Sequence, residues 1–249
     1  MPAVFVHGNL ETESIWDPLI GQLDRADVVT LSPPGFGAPV PPGFGATMPE
    51  YRDWLIDRLV DIGEPVDLVG TDWGGGHVIN VAMTRPDLLR SWASDAVGIY
   101  DSEYSWHDLA QLWQTPEVGE QAVDALMSGT RAERSARISG GGIPPDVALQ
   151  IADAMGPVMG WSLLSLYRSA TDLETLRSTL ASAADRPGLA INPTEDDFLG
   201  SLRSRVRAAR IAGARTVQLD GLHHWWMLQD PSTSAAELTD FWSTLDRPA

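Results

Sequence analysis

Short apolar runs alternate with amphipathic stretches along most of this chain. The apolar runs, each followed by Gly, Pro or Asp turn residues, occupy positions 4–6, 28–31, 66–69, 188–191 and 216–219. Runs of this kind are typical of strands that are buried on both faces of a parallel sheet. Helical patterns cover positions 16–23, 48–62, 76–85 and 234–245. Strands that alternate with helices predict an α/β fold, with an open parallel sheet covered by helices on both faces.

The middle of the chain, positions 98–182, departs from this alternation. Its pattern is mostly helical, it contains no clear strand, and a Gly- and Pro-rich stretch interrupts it at positions 139–145. We therefore expect a core formed by residues 1–97 and 183–249 and a helical cap formed by residues 98–182. A chain of 249 residues suits one domain with such an inserted subdomain.

The charge and the composition exclude several function classes. The formal net charge is −17 at pH 7 and the chain has no Lys, so it lacks the basic footprint that a nucleic-acid partner needs. With no Cys there is no disulfide, no thiolate metal site and no cysteine nucleophile. The sequence has no signal-peptide pattern, membrane span, metal-ligand cluster or phosphate-binding loop. It therefore predicts a cytoplasmic protein without a metal or organic cofactor, which binds neither nucleic acid nor membranes.

A carboxylate stands where a strand turns sharply into a helix. Gly70 and Gly74 each lie two residues from Asp72, and Gly at these positions lets the flanking backbone approach a strained central residue. A carboxylate at a helix N-terminus is stabilised in its ionised form, so it can attack without a base to remove a proton. Asp72 is the predicted nucleophile, and a helix-capping role is the alternative.

The stretch Gly70-Thr71-Asp72-Trp73-Gly74-Gly75 resembles the nucleophile elbow of epoxide hydrolases and haloalkane dehalogenases. Both belong to the α/β-hydrolase superfamily, and the resemblance covers nearly the whole chain. It implies an α/β-hydrolase fold, with a mostly parallel sheet flanked by helices and an inserted helical cap. The usual fold has two strands before its His-Gly turn, whereas His7 and Gly8 already form that turn here. We therefore expect the N-terminal strands to be shortened.

A base and an acid are expected in the last third of the chain. His224 stands seven residues before Pro231, the spacing common for the catalytic His of the superfamily, whereas the neighbouring His223 suits a loop or cap role. The resemblance to a Glu-Asp-Pro-Phe loop aligns Asp196 with the acid and leaves Asp197 as the reserve. An acid is needed because the imidazole must be held in one tautomer and its cation stabilised. The order nucleophile, acid, His is the one expected for this fold.

The leaving-group side of the site rests on Asn9 and Trp73. In this fold the turn after the first of the buried strands and the residue after the nucleophile donate backbone N–H groups to the oxyanion. In one group of haloalkane dehalogenases the Asn of a His-Gly-Asn turn holds the halide beside the Trp that follows the nucleophile, and Asn9 and Trp73 match that pair. Leu10 departs from the pattern, because the dehalogenases carry Pro there.

Cap residues point instead to epoxide opening, which needs an acid for the alkoxide. Epoxide hydrolases use cap tyrosines, and the Tyr167-Arg168 element resembles the one that carries the first of these. The second Tyr has no counterpart at its usual place, so Tyr104 or His107 is the expected substitute. Packing against the core is the alternative for Tyr167. Trp225 and Trp226 are expected to pack rather than react.

These residues predict a hydrolase that forms an alkyl ester on Asp72, which a His224-activated water then hydrolyses. An epoxide hydrolase that gives a vicinal diol is the favoured hypothesis, and a haloalkane dehalogenase is the alternative. Both would act on a small apolar organic substrate and water. A third hypothesis, from another class, is a non-catalytic binding protein with a hydrolase fold. A serine esterase is disfavoured because no Ser or Cys occupies the elbow.

Overall fold

The computed structural model describes residues 1–171 and 173–245. In these residues six strands form one sheet, in which every neighbouring pair is parallel. The strands are β1 (Ala3–Val6), β2 (Val28–Leu31), β3 (Val66–Gly70), β4 (Leu89–Ser94), β5 (Gly188–Pro193) and β6 (Arg215–Leu219). Their order across the sheet is β2-β1-β3-β4-β5-β6. The predicted parallel α/β sheet is confirmed.

Strand β4 has no counterpart among the predicted apolar runs. Polar residues divide it, and two of them, Ser91 and Ser94, are fully buried. The Ser91 hydroxyl donates to Oδ1 of Asp67 at 2.6 Å, and the Ser94 hydroxyl accepts the N–H of Ala96 at 3.0 Å. Because both hydroxyls have hydrogen-bond partners, they can be buried in this strand. Their polar character explains why the strand is absent from the apolar pattern of the sequence. The strand places Asp95 at the carboxyl edge of the sheet.

The helices of the sheet layers are α1 (Asp17–Ile20), α2 (Met48–Ile62), α3 (Asp72–Thr84), and, after the central segment, α10 (Leu202–Ile211), α11 (Trp226–Gln229) and α12 (Pro231–Leu245). Among them, α2 has the predicted bounds, α1, α3 and α12 differ from the predicted patterns at their ends, and α10 and α11 were not predicted. The helix predicted at 16–23 is instead a 3₁₀ turn, Glu13–Trp16, followed by the single turn α1. Helix α12 begins earlier than predicted because Asp230 caps it, accepting the N–H of Thr233 at 3.0 Å.

The segment between β4 and β5 contains helices and no strand within the described residues. They are α4 (Asp108–Gln114), α5 (Val118–Met127), α6 (Arg131–Gly140), α7 (Pro145–Ala154), α8 (Pro157–Ser169) and α9 (Leu173–Thr179). The division into core and cap at residues 98 and 182 stays a prediction. No single described helix is long and apolar enough to cross a membrane; α7 and α8, bent by 89° at their junction, pass that test only as a pair.

Two apolar clusters cover the two faces of the sheet. On β1, Val4 and Val6 pack in one cluster with residues of α2 and α3, whereas Ala3 and Phe5 pack in the other with residues of α12. Successive side chains of a strand point to opposite faces, so this division is the one expected for a sheet between helix layers. The loops after the strands are left at one edge, where the chemistry-bearing residues collect.

Candidate active site

Asp72 occupies the turn between β3 and α3 in a strained conformation. Its φ is +49°, in the left-handed region that a non-Gly residue adopts at a cost. A Cβ atom added at Gly70 would lie 2.6 Å from the carbonyl carbon of Gly74, and one at Gly74 would overlap the carbonyl oxygen of Val6. Both glycines are therefore required by the closeness of β1, β3 and α3. Helix α3 begins at Asp72, earlier than the predicted position 76, because this packing overrides the low helix propensity of Gly.

The Asp72 side chain is held against the loop that follows β1. Its Oδ2 accepts the backbone N–H of Asn9 at 2.9 Å. A Cβ atom at Gly8 would overlap the same oxygen. The carboxylate also stands at the N-terminus of α3, where the helix dipole favours negative charge. These contacts fix the orientation of the carboxylate.

His224 and Asp196 meet beside this carboxylate. Nδ1 of His224 lies 2.9 Å from Oδ2 of Asp196, and both residues are buried. The other carboxylate oxygen of Asp196 accepts the backbone N–H of Phe198 at 2.7 Å and that of Leu199 at 3.2 Å. Asp197, the reserve acid, is exposed. Asp196 is thus the carboxylate that orients the imidazole, and Nε2 is the nitrogen left to exchange protons.

Charge governs the protonation of this pair. Burial by itself lowers the pKa of His224, but the charge and hydrogen bond of Asp196, with the charges of Asp72 and Glu11, raise that pKa to about 10. Burial opposes ionisation of Asp196, yet the charge and hydrogen bond of His224 hold the pKa of that carboxyl below its usual value. His224 is therefore held as a cation at neutral pH.

Tyr167, on α8, closes the space above Asp72. Its ring is buried and meets the Trp73 ring edge-on, with 5.3 Å between centroids. Burial and the charge of Asp72 raise the pKa of the Tyr167 phenol well above its usual value, while polar contacts with the Trp73 and Asn9 side chains act in the opposite direction. The phenol therefore keeps its proton at neutral pH and lies against the predicted leaving-group pair.

Tyr104 and His107 line the same cavity, but their polar atoms form hydrogen bonds with backbone groups. The Tyr104 hydroxyl lies 3.4 Å from the carbonyl oxygen of Phe198, to which it donates. Nδ1 of His107 accepts the N–H of Ala110 at 3.2 Å and so caps α4. Burial lowers the pKa of His107, which favours a neutral ring. Within the described chain, Tyr167 is the one of the three predicted cap acids with polar contacts to Asn9 and Trp73.

Two buried carboxyl groups beside the site were absent from the sequence prediction. Asp95 accepts the Thr71 hydroxyl at 2.6 Å, the N–H of Asp72 at 2.9 Å and the indole N–H of Trp226 at 2.8 Å. Glu11 accepts the indole N–H of Trp225. Burial raises the pKa of Asp95 to about 6 and that of Glu11 to about 8. An acid directly after a buried strand would have signalled Asp95, had β4 been recognised.

The cavity above Asp72 is almost filled by aromatic rings. Its lining residues are Asp72, Trp73, Ile99, Tyr104, Trp106, His107, Tyr167, Phe198 and Leu199. The free space is about 10 Å³, about the room that one water molecule needs. Two outer clefts of about 520 and 380 Å³ adjoin it, and Trp106 lines all three. Trp106 also stacks on Trp73 at 5.7 Å between centroids, so it stands between the buried cavity and both clefts.

The assembled groups can support nucleophilic substitution at carbon followed by hydrolysis. Asp72 can attack, Tyr167 can donate a proton, and His224 with Asp196 can exchange protons with water. In residues 1–171 and 173–245, no group of three or more His, Asp or Glu side chains is arranged to hold a metal ion.

Known proteins share this fold over the length of the chain. The model of the alpha/beta hydrolase family matches residues 3–237. A curated relative, (E)-2-((N-methylformamido)methylene)succinate hydrolase of Acinetobacter baylyi, is 30% identical over 95 residues, which span only 36% of that protein and 37% of this chain. A loop variant of a haloalkane dehalogenase from Bradyrhizobium elkanii has a TM-score of 0.75 and 17% identity, and the match covers 99% of this chain and 91% of that one. E-2-(acetamidomethylene)succinate hydrolase has a TM-score of 0.73 and 18% identity, with 97% and 91% covered.

Proposed function

This chain is a hydrolase of the α/β-hydrolase family, and we propose that it is an epoxide hydrolase that works through an ester on Asp72. The substrate would be a small, apolar epoxide and the product a vicinal diol. The observation that carries the proposal is the buried phenol of Tyr167, which lines the cavity above Asp72 and meets the Trp73 ring edge-on. A proton donor opposite a carboxylate nucleophile is what epoxide opening requires.

The first step forms the ester. An Asp72 oxygen bonds to a ring carbon of the epoxide, the carbon–oxygen bond of the ring breaks, and the ring oxygen takes the proton of the Tyr167 hydroxyl. The high pKa of the phenol supports this role, since the hydroxyl remains protonated until the alkoxide develops. The strained turn at Asp72 supports it too, because the carboxylate is held in one direction.

The second step hydrolyses the ester. After the first step, the proton of the His224 cation passes to the Tyr167 phenolate and leaves a neutral imidazole. His224 then takes a proton from water, the hydroxide adds to the carboxyl carbon of Asp72, and the alkoxide leaves with that proton from His224. The proton of the regenerated carboxyl group returns to His224 and restores the cation. Ester formation removes the negative charge of Asp72, one of the charges that raise the pKa of His224. The imidazole therefore becomes a neutral base more readily after the first step than before it.

Haloalkane dehalogenation is the second candidate. Within the described residues, neither the nitrogen nor the oxygen of the buried Asn9 side-chain amide has a hydrogen-bond partner, so its N–H groups are available to a halide beside Trp73. The two reactions share the ester on Asp72 and differ in what leaves. The phenol of Tyr167 in the same cavity favours an oxygen leaving group that must be protonated.

Trapping the ester tests the proposal. His224→Gln removes the base and should let the ester accumulate, so intact-protein mass should rise after mixing with styrene oxide by the mass of the whole epoxide. After mixing with bromobutane, a dehalogenase should gain the alkyl group without bromine. The double variant Asp72→Asn/His224→Gln is the matched control and should gain neither.

Each result separates the candidates. Accumulation from styrene oxide that maps to a peptide containing Asp72 supports the epoxide hydrolase, and accumulation from bromobutane alone supports the dehalogenase. No adduct from either compound, with a folded protein, would overturn both and favour the non-catalytic binding protein.

A further inference from the structure

Glu11 is a buried acid whose two oxygen atoms are both occupied by N–H donors. Its side chain is 1% exposed. Oε2 accepts the backbone N–H of Gly8 at 2.9 Å, and Oε1 accepts the indole N–H of Trp225 at 2.7 Å. A carboxyl group is costly to bury, and two donors without an intervening hydroxyl match the carboxylate form. Neither step of the proposed reaction uses the oxygen atoms of Glu11.

The two hydrogen bonds of Glu11 join the loop that carries Asn9 to the loop that carries His224. Gly8 precedes Asn9, whose N–H holds the attacking carboxylate of Asp72 at 2.9 Å. Trp225 follows His224, and their rings meet edge-on at 5.4 Å between centroids. One carboxyl group therefore connects two loops that lie more than two hundred positions apart in the sequence.

The backbone before Glu11 explains why this loop departs from the dehalogenase pattern. Leu10 has a φ of +58°, which a Pro residue, with φ near −65°, cannot adopt. The Pro of the dehalogenase pattern is thus incompatible with the path of this loop. A non-Gly residue in that conformation persists only where surrounding contacts hold it, and the bonds of Glu11 are such contacts.

We propose that Glu11 is a positioning residue, which fixes the loop of Asn9 against the loop of His224 and directs a negative charge at the imidazole. This role rests on the proposed function, in which the geometry between Asp72 and His224 decides how fast the ester is hydrolysed. Glu11 acts through its neighbours and does not contact the substrate.

The surrounding charges indicate which step depends on Glu11. The charged groups near Glu11 are Asp72 and His224. The charged groups near His224 are Asp196, Asp72, Glu11 and Asp95. Burial and the charge of Asp72 raise the pKa of Glu11 to about 8, whereas the charge of His224 and the N–H donors of Gly8 and Trp225 act in the opposite direction. Because both oxygens accept N–H groups, the hydrogen bonds favour a carboxylate beside the His224 cation. Ester formation removes the Asp72 charge, so Glu11 ionises more readily at the stage when His224 must accept a proton. The loss of Glu11 should therefore slow hydrolysis of the ester more than its formation.

Two variants separate the charge from the hydrogen bonds. Glu11→Gln keeps the length of the side chain but replaces one oxygen with an NH₂ group, which cannot accept an N–H donor. Trp225→Phe removes the indole N–H and leaves the carboxyl group of Glu11. Glu13→Gln is the matched control, because Glu13 is exposed at the start of the 3₁₀ turn that follows this loop, and its carboxylate accepts the Thr30 hydroxyl at 3.3 Å.

Each protein is measured in two ways. The pKa of His224 is titrated by NMR of its imidazole without substrate, and single-turnover mixing with styrene oxide gives separate rates of ester formation and hydrolysis. We expect Glu11→Gln to lower the pKa of His224 and to slow hydrolysis about tenfold or more, the effect of losing a hydrogen bond to a charged group. Trp225→Phe should slow hydrolysis with a smaller change in that pKa, and Glu13→Gln should match the wild type.

A Glu11→Gln protein with a wild-type pKa at His224 and a wild-type ratio of the two rates would overturn the proposal. If Glu11→Gln does not fold, Trp225→Phe decides, and an unchanged ratio of rates in that variant overturns it. If styrene oxide and bromobutane leave no ester on Asp72 of the His224→Gln variant, the proposed function fails. The imidazole titration then still tests Glu11, since an unchanged pKa overturns its action on His224 and a lowered one supports it.

Discussion

The backbone N–H of Asp72 donates a hydrogen bond to Oδ1 of Asp95, 2.9 Å away. Oδ2 of the same carboxyl group accepts from the hydroxyl of Thr71, which precedes Asp72, and from the indole N–H of Trp226. Asp95 is 1% exposed. A buried side chain at the end of β4 therefore anchors the strained turn and ties it to the segment after His224.

Asp95→Asn should weaken this anchor. The amide keeps one acceptor oxygen, so at least one buried donor loses its partner, which costs about 1–3 kcal/mol in the free energy of unfolding. Urea denaturation measures the loss. Asp197→Asn, at an exposed position, is the control and should stay within about 0.5 kcal/mol of the wild type. Equal stability of the two variants would contradict the anchoring role.

Gly8→Ala should impair catalysis more than folding. The added Cβ overlaps Oδ2 of Asp72, so either the loop or the carboxylate must shift. A displacement of about 1 Å at the reacting atoms can lower a rate roughly 100-fold. Gly140→Ala is the control, because a Cβ there meets no atom within 4 Å. The comparison is made on kcat with styrene oxide, and full activity of Gly8→Ala would refute the close approach.

Tyr167→Phe should separate epoxide opening from debromination. Loss of the phenolic proton should lower the rate with styrene oxide by roughly 100-fold or more, the usual contribution of a general acid. Debromination of bromobutane, which needs no proton donor, should fall far less. Tyr51→Phe is the control, since its hydroxyl donates to the carbonyl oxygen of Pro34 outside the cavity lining. Equal losses with both substrates in Tyr167→Phe would argue against proton donation.

Trp106→Ala should widen access to Asp72. Trp106 separates a nearly filled cavity from two larger clefts, so its removal should raise kcat/KM for stilbene oxide several-fold relative to styrene oxide. Trp161→Ala, which removes an exposed Trp of α8, is the control and should leave that ratio unchanged. A ratio that does not rise in Trp106→Ala would mean that substrates enter by another route.

Acid should destabilise the protein partly through His77. Burial lowers the pKa of His77 to about 3 in the folded state, against 6.5 for an unperturbed imidazole. Between these values the unfolded chain binds more protons, so stability falls as pH falls, by up to about 1.4 kcal/mol per pH unit for one proton. His77→Phe keeps an aromatic ring against Tyr51 and should lose less stability between pH 6.5 and 4.

Denaturant titrations at several pH values measure this difference. His223→Phe, at an exposed position, should follow the wild type. If His77→Phe also follows it across this pH range, His77 is not the group that takes up the proton.

Local constraints made much of the fold predictable from the sequence. Helix α2 has the predicted bounds because Thr47 and Glu50 form a capping box and Gly63 ends the helix with a φ of +79°. The turn at Asp72 was partly predictable for a similar reason, since a Cβ atom at Gly70 would meet the backbone of Gly74, only four residues away, whereas one at Gly74 would meet Val6 of β1.

Neighbouring residues of the same type could be distinguished only in three dimensions. Asp196 and Asp197 are adjacent carboxylates, and the path of their loop decides that Asp196 meets His224 while Asp197 faces solvent. Tyr167 and Tyr104 both line the cavity, and only the packing of α8 decides which phenol reaches Asn9.

The sequence by itself therefore determined the carboxylate at the elbow, the spacing of His224 and the alternation that builds the sheet, because each depends on residues close together in the chain. The tertiary structure alone decided that β4 joins the sheet, that Asp95 accepts a hydrogen bond from the Trp226 indole and that Glu11 accepts one from the Trp225 indole. Those contacts join positions 131 and 214 residues apart. No local pattern encodes such a pairing, because a buried carboxyl group is stable only where the completed fold supplies its donors.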